Sequence, residues 1–129
     1  MHICRSQDPT WQADVGYDPI AEPLFNDMKV GIYFLEYDNT RSGSFEPLRA
    51  VPHDKLVVLG LVTTKTGRRE TVDELRSRIE EASAFFPLER LALSPQCGFA
   101  TSVLGNALSL EDEQAKLRTI AETAAAVWG

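Results

Sequence analysis

An α/β fold built on a parallel sheet is what this sequence predicts, and three observations carry the prediction. Residues 29–37 (KVGIYFLEY) and 55–62 (KLVVLGLV) are near-continuous apolar runs rich in strand formers, the pattern of strands covered on both faces. Strand-like runs alternate along the chain with segments of helical periodicity, which is the order of a parallel sheet joined by crossovers. The thiol, imidazole and carboxylate groups with chemical potential fall at the carboxyl ends of the strands, the face on which α/β barrels place their chemistry.

His2, Ile3 and Cys4 read as the last residues of a first strand, followed by a polar loop over 5–16. Asp18 then offers a helix cap with Pro19 at the favoured first position. Ile20, Ala21, Leu24 and Phe25 give that short helix an apolar face, although Pro23 weakens it. The strand over 29–37 ends on Glu36, Tyr37 and Asp38, and a Gly/Ser-rich loop leads to a helical turn around 45–50.

The strand over 55–62 ends in the polar tip Thr63, Thr64 and Lys65. Thr71 and Glu74 form a T-x-x-E capping box. Val72, Leu75, Ile79, Ala82 and Phe86 then recur at helical spacing until Pro87. Residues 90–96 make the last strand, where Ser94 and Pro95 interrupt the apolar run just before Cys97 and Gly98. Ser109 caps a final helix, whose expected apolar side is Leu110, Leu117, Ile120, Ala121, Ala124 and Val127.

The totals exclude several classes of function. The chain has 129 residues, 43% hydrophobic and 25% charged, which suits one globular domain or part of one. A net charge of −6 opposes non-specific binding to nucleic acid or to anionic membranes. No apolar run is long enough to span a bilayer, and no charged-then-apolar export segment opens the sequence. A cytoplasmic setting is therefore expected, where two cysteines serve more often as metal ligands or catalysts than as a disulfide.

His2 and Cys4, two apart on a strand, leave the same face. Glu36 and Cys97 close later strands, so converging strand ends can bring all four together. One imidazole, two thiols and one carboxylate suit zinc, which takes nitrogen, sulfur and oxygen ligands tetrahedrally. Each alone has a plainer reading: a frayed terminal pair, a small buried thiol, a satisfied carboxylate at a strand tip. Arg41, Ser42, Thr64 and Lys65 are candidates for touching substrate, as are Thr63 and Arg5, though capping and solvation explain the threonines and Lys65 about as well. TTKTG does not satisfy the phosphate-loop pattern, and His53 reads as solvated.

HICRSQ, LEYDNTRSGSFEPLR, LGLVTTKTGRRE and LSPQCGFATSVLGN, closing on AAAVWG, resemble the carboxy-terminal part of cobalamin-independent methionine synthase, and most of all its shorter single-barrel relatives. The four blocks occur in the family's order and cover nearly the whole chain. The resemblance implies the second half, about four βα units, of a (β/α)8 TIM barrel of the kind shared with uroporphyrinogen decarboxylases. It implies transfer of a methyl group from a methylated folate to the thiol of homocysteine, on zinc. It also implies that His2, Cys4, Glu36 and Cys97 hold that zinc, with Glu36 the ligand that yields to the incoming thiol.

A barrel needs eight strands and four are read here. Three arrangements follow: a truncated gene or fragment, a half completed by a separately encoded first half, or self-association of two copies. The implied partners are a small thiol and a methyl donor, and little or no activity is expected of the chain alone. Two other functions stay open. One is a related zinc-dependent alkyl transfer to another thiol, as in epoxyalkane:coenzyme M transferases. The other is a metal-free barrel fragment acting only through a partner chain.

Overall fold

The computed structural model describes residues 1–4, 16–100 and 103–129. Its sheet has four parallel strands in chain order: β1 (His2–Ile3), β2 (Ile32–Glu36), β3 (Leu56–Val62) and β4 (Leu91–Pro95). The two long helices are α1 (Val72–Ser83) and α2 (Leu110–Trp128). The predicted class therefore holds: this is an α/β fold with a parallel sheet, a contiguous segment of a (β/α)8 barrel. The strands are shorter than the apolar runs, because ladder pairing stops before the runs do.

Burial departs from the sequence reading on one face. Tyr33, Leu35 and Tyr37 are fully buried, and Val57, Leu59 and Leu61 join them against Leu75, Ile79, Ala82 and Phe86. Burying each such side chain contributes about 1.5–3 kcal/mol. On the alternate positions Ile32 and Phe34 are 40% and 42% exposed, so β2 is not covered on both sides as its composition suggested. Strand alternation sends these residues to the face that is the packed interior of a closed barrel.

Both helix starts carry capping boxes, Thr71 with Glu74 and Ser109 with Asp112. Residues 18–27 wind from a 3-10 turn into a π-type turn, which accommodates Pro23 where a regular α-helix would not. The face of α2 is corrected by the structure. Leu110 and Leu117 are 69% and 46% exposed and Ala121 is exposed, whereas Lys116 and Thr123 are buried. The inward stripe runs Lys116, Ile120, Thr123 and Val127: Ile120 and Val127 pack on the core as expected, while Lys116 and Thr123 take the places read for Leu117 and Ala121. An ion pair explains how a lysine can lead it: Lys116 Nζ lies 2.9 Å from Glu70 Oε2 and also donates to the carbonyl of Arg68. Among the described residues no helix is long and apolar enough to cross a membrane.

Candidate metal centre

Sheet register carries four chemically able side chains to one corner. His2 pairs with Phe34, so the end of β1 lies beside the end of β2, and Cys4 follows directly. Glu36 is the last residue of β2, and Cys97 lies just beyond β4. The intervening strand would hold these ends apart, but Gly60 of β3 sits between Glu36 and Ser94 in the ladder. A Cβ on Gly60 would lie 3.1 Å from the carbonyl of Leu35 and 3.5 Å from the Cα of Gln96. With no side chain there, the residues on either side close over β3.

The distances are short. Glu36 Oε1 lies 3.0 Å from His2 Nε2 and accepts from the thiol of Cys97 at 2.7 Å. Cys97 Sγ is 4.0 Å from His2 Nε2 and 3.3 Å from Cys4 Sγ. At 3.3 Å the sulfurs are well beyond the roughly 2.05 Å of a disulfide, and both are thiols rather than a disulfide pair. Glu36 is 1% exposed while the His2 side chain is 42% exposed, so the corner has a buried carboxylate floor and an open imidazole side. One ligand atom each from His2, Glu36 and Cys97 falls within 4.8 Å of the others, a spacing that could hold a metal ion.

Two residues fix Glu36. Where β1 has ended, the hydroxyl of Tyr17 replaces a strand partner: it accepts from Glu36 N at 3.0 Å and donates to Glu36 O at 3.2 Å. Gln96 Nε2 donates to Glu36 Oε2 at 2.9 Å. Register shifts between Gly60 and Val62 opposite β4, at Pro95, whose missing N–H cannot serve the ladder. Gln96 N bonds Val62 O at 2.9 Å immediately after that irregularity. Asn106 ties the loops above, donating to Thr64 O at 2.8 Å and to Gly98 O at 3.1 Å.

The candidates for substrate contact lie in the segments that follow β2 and β3. Arg41 is exposed in a 3-10 turn capped by Asn39, and Ser42 is 1% exposed with no hydrogen-bond partner for its hydroxyl among the described residues. Thr64 is wholly buried, and Thr63 donates its N–H to Glu70. Lys65 Nζ pairs with Asp38 at 3.2 Å beside a separate cleft of about 740 Å³, lined also by Arg68, Glu70 and Arg78. His53 is exposed, with its ring edge-on to Phe86 at 5.8 Å. Arg5 lies outside the described residues.

Shifted carboxyls belong to the scaffold. The backbone N–H of Thr71 lowers the Glu74 pKa. The backbone and hydroxyl of Ser109, then Arg69, hold Asp112 down to about 2. Sequence reasoning passed over Tyr17, Gln96 and Asn106. Adjacency to Cys97 was a usable signal for Gln96; Tyr17 and Asn106 carry none that a linear reading could use.

Residues 2–125 match the family described as the cobalamin-independent synthase catalytic domain. The uncharacterized Bacillus subtilis (strain 168) proteins YxjG and YxjH are 52% and 47% identical over 99% of the chain. The chain spans about a third of their length, 34% in each case. A crystal structure from Listeria monocytogenes, provisionally assigned as a vitamin-B12-independent methionine synthase, superimposes with a TM-score of 0.70 at 38% identity. It is matched over 100% of this chain and 34% of its own. A B12-independent methionine synthase from Shewanella sp. W3-18-1 shares the fold at TM-score 0.77 and 21% identity, over 98% of this chain and 37% of its own.

Proposed function

The chain belongs to the cobalamin-independent synthase family, within its catalytic domain, and from that premise we propose that it carries the zinc-binding corner of a thiol S-methyltransferase. The proposed reaction moves a methyl group from a methylated folate to the thiol of homocysteine, giving methionine, in the cytoplasm. The observation that supports it most is Glu36 Oε1, within 3.0 Å of His2 Nε2 and 2.7 Å of Cys97 Sγ, with Cys4 Sγ 3.3 Å further on.

The donor set fits zinc. Ligand atoms on a zinc tetrahedron stand roughly 3.3–3.8 Å apart, and those of His2, Glu36 and Cys97 stand 2.7 to 4.0 Å apart, with Cys4 Sγ 3.3 Å from Cys97 Sγ but outside that three-residue group. Two thiols and an imidazole also disfavour magnesium and calcium, which take oxygen. Zinc, when bound, supplies the positive charge that keeps a coordinated thiol as thiolate at neutral pH.

The chain's own groups account for the proton movements. The Cys97 thiol donates to Glu36, so loading a metal requires that proton to leave. Glu36, buried and held through its backbone by Tyr17, presents Oε1 to His2 and Cys97 with little competition from water. His2 and Cys4 form the exposed side, where a small thiol would enter. As the thiol sulfur bonds to the methyl carbon, the donor's N–CH3 bond breaks and the thiol's proton ends on that nitrogen. Contacts to the methyl donor and to the rest of the thiol are proposed to come from parts of the full-length relatives that this chain does not span, whether in the same polypeptide, a complementary chain or a second copy.

A native mass spectrum before and after chelation tests the metal reading. One zinc per chain, removed by chelator and absent from Cys97→Ser, is expected. No zinc on the wild-type chain, or unchanged zinc on Cys97→Ser, would overturn it.

A further inference from the structure

We infer that Gln96 is a positioning residue for Glu36, pinning one carboxylate oxygen so that the other alone faces the metal ligands. The inference rests on the zinc reading above and adds a residue to it. Its geometry is a division of labour between two oxygens. Glu36 Oε1 meets His2 at 3.0 Å and Cys97 at 2.7 Å, while Oε2 is taken by Gln96 Nε2 at 2.9 Å. An ionised carboxylate only accepts, so the amide must turn its nitrogen toward Glu36. A carboxylate fixed at both ends offers a metal one oxygen in one direction.

The other end of the amide argues against a merely structural role. Gln96 is 6% exposed, and its Oε1 is buried with no hydrogen-bond partner among the described residues. Burying an unpaired acceptor costs stability, and an apolar side chain of the same shape would avoid that cost. The residue is thus poorly chosen for packing and well chosen for holding Glu36. Local backbone supports the same aim: the irregularity at Pro95 and the bond from Gln96 N to Val62 O set the residue over Gly60, where no side chain intervenes.

The test is zinc affinity on the purified chain, by competition with a chromophoric chelator, alongside melting of the metal-free protein. Gln96→Met keeps the volume and removes the donor. It should weaken zinc binding 10–100-fold, the range for lost partners of metal ligands, and lower metal-free melting modestly, because the buried Glu36 Oε2 loses its donor. The visible spectrum of the cobalt(II) form should also change, because the carboxylate is no longer fixed. Gln96→Leu, which also removes the donor without adding a charge, should weaken binding likewise if methionine is not accommodated. Zinc affinity and cobalt spectrum equal to wild type in folded variants would overturn the role of Gln96 and leave the metal reading intact. A wild-type chain that takes up no zinc would overturn both.

Discussion

Replacing Lys116 with methionine tests how this chain holds its site-bearing loops. Lys116 is 0% exposed and its ammonium serves two acceptors, Glu70 Oε2 at 2.9 Å and the Arg68 carbonyl. Methionine fills the space but leaves the Glu70 carboxylate, 5% exposed, without its principal cation. Breaking a buried pair from one side costs about 3–5 kcal/mol. Glu70 keeps the N–H of Thr63 at 3.0 Å and Arg68 Nη1 at 3.5 Å, which argues for the lower end, about 3 kcal/mol. Urea unfolding should show that loss, and melting should fall by about 10 °C for a chain of this size. Adding Glu70→Gln removes the stranded charge, so the double variant should recover more than half of the loss. A single-variant loss below about 1 kcal/mol, or a double variant as unstable as the sum of the singles, would refute the reasoning. The pair matters beyond stability, because the loop it anchors presents the Thr64 carbonyl to Asn106, which in turn holds Gly98 beside Cys97.

Tyr17→Phe strips both backbone groups of Glu36 of their partner and should cost about 1–3 kcal/mol in denaturant unfolding. An unchanged midpoint would show that another group or water takes over. Acid titration of stability should reveal the second capping box. The pKa of Asp112 is depressed to about 2 from 3.8, so its contribution is complete above about pH 4 and disappears as pH falls through 2. Glu74, also lowered, acts in the same direction. Asp112→Asn should flatten that part of the pH–stability curve, and a curve superimposable on wild type would count against the cap.

The chain's order of elements and both helix caps were legible in the sequence because each rests on local information, and of the four candidate ligands named there the structure groups His2, Glu36 and Cys97. Apolar runs and period mark strands and helices, Thr71 and Ser109 announce their caps, and the chemistry of His2, Cys4, Glu36 and Cys97 belongs to the residues themselves. Tertiary structure alone decided which groups meet and which faces are covered. Only the ladder register shows Gly60 opening the space through which Cys97 reaches Glu36. Only packing turns Lys116 inward and Leu117 outward on α2, since a buried ion pair between residues far apart in sequence outweighs local hydrophobicity. The same holds for Gln96: its amide gains meaning from a carboxylate 60 positions away, a proximity that composition and spacing do not encode and the fold supplies.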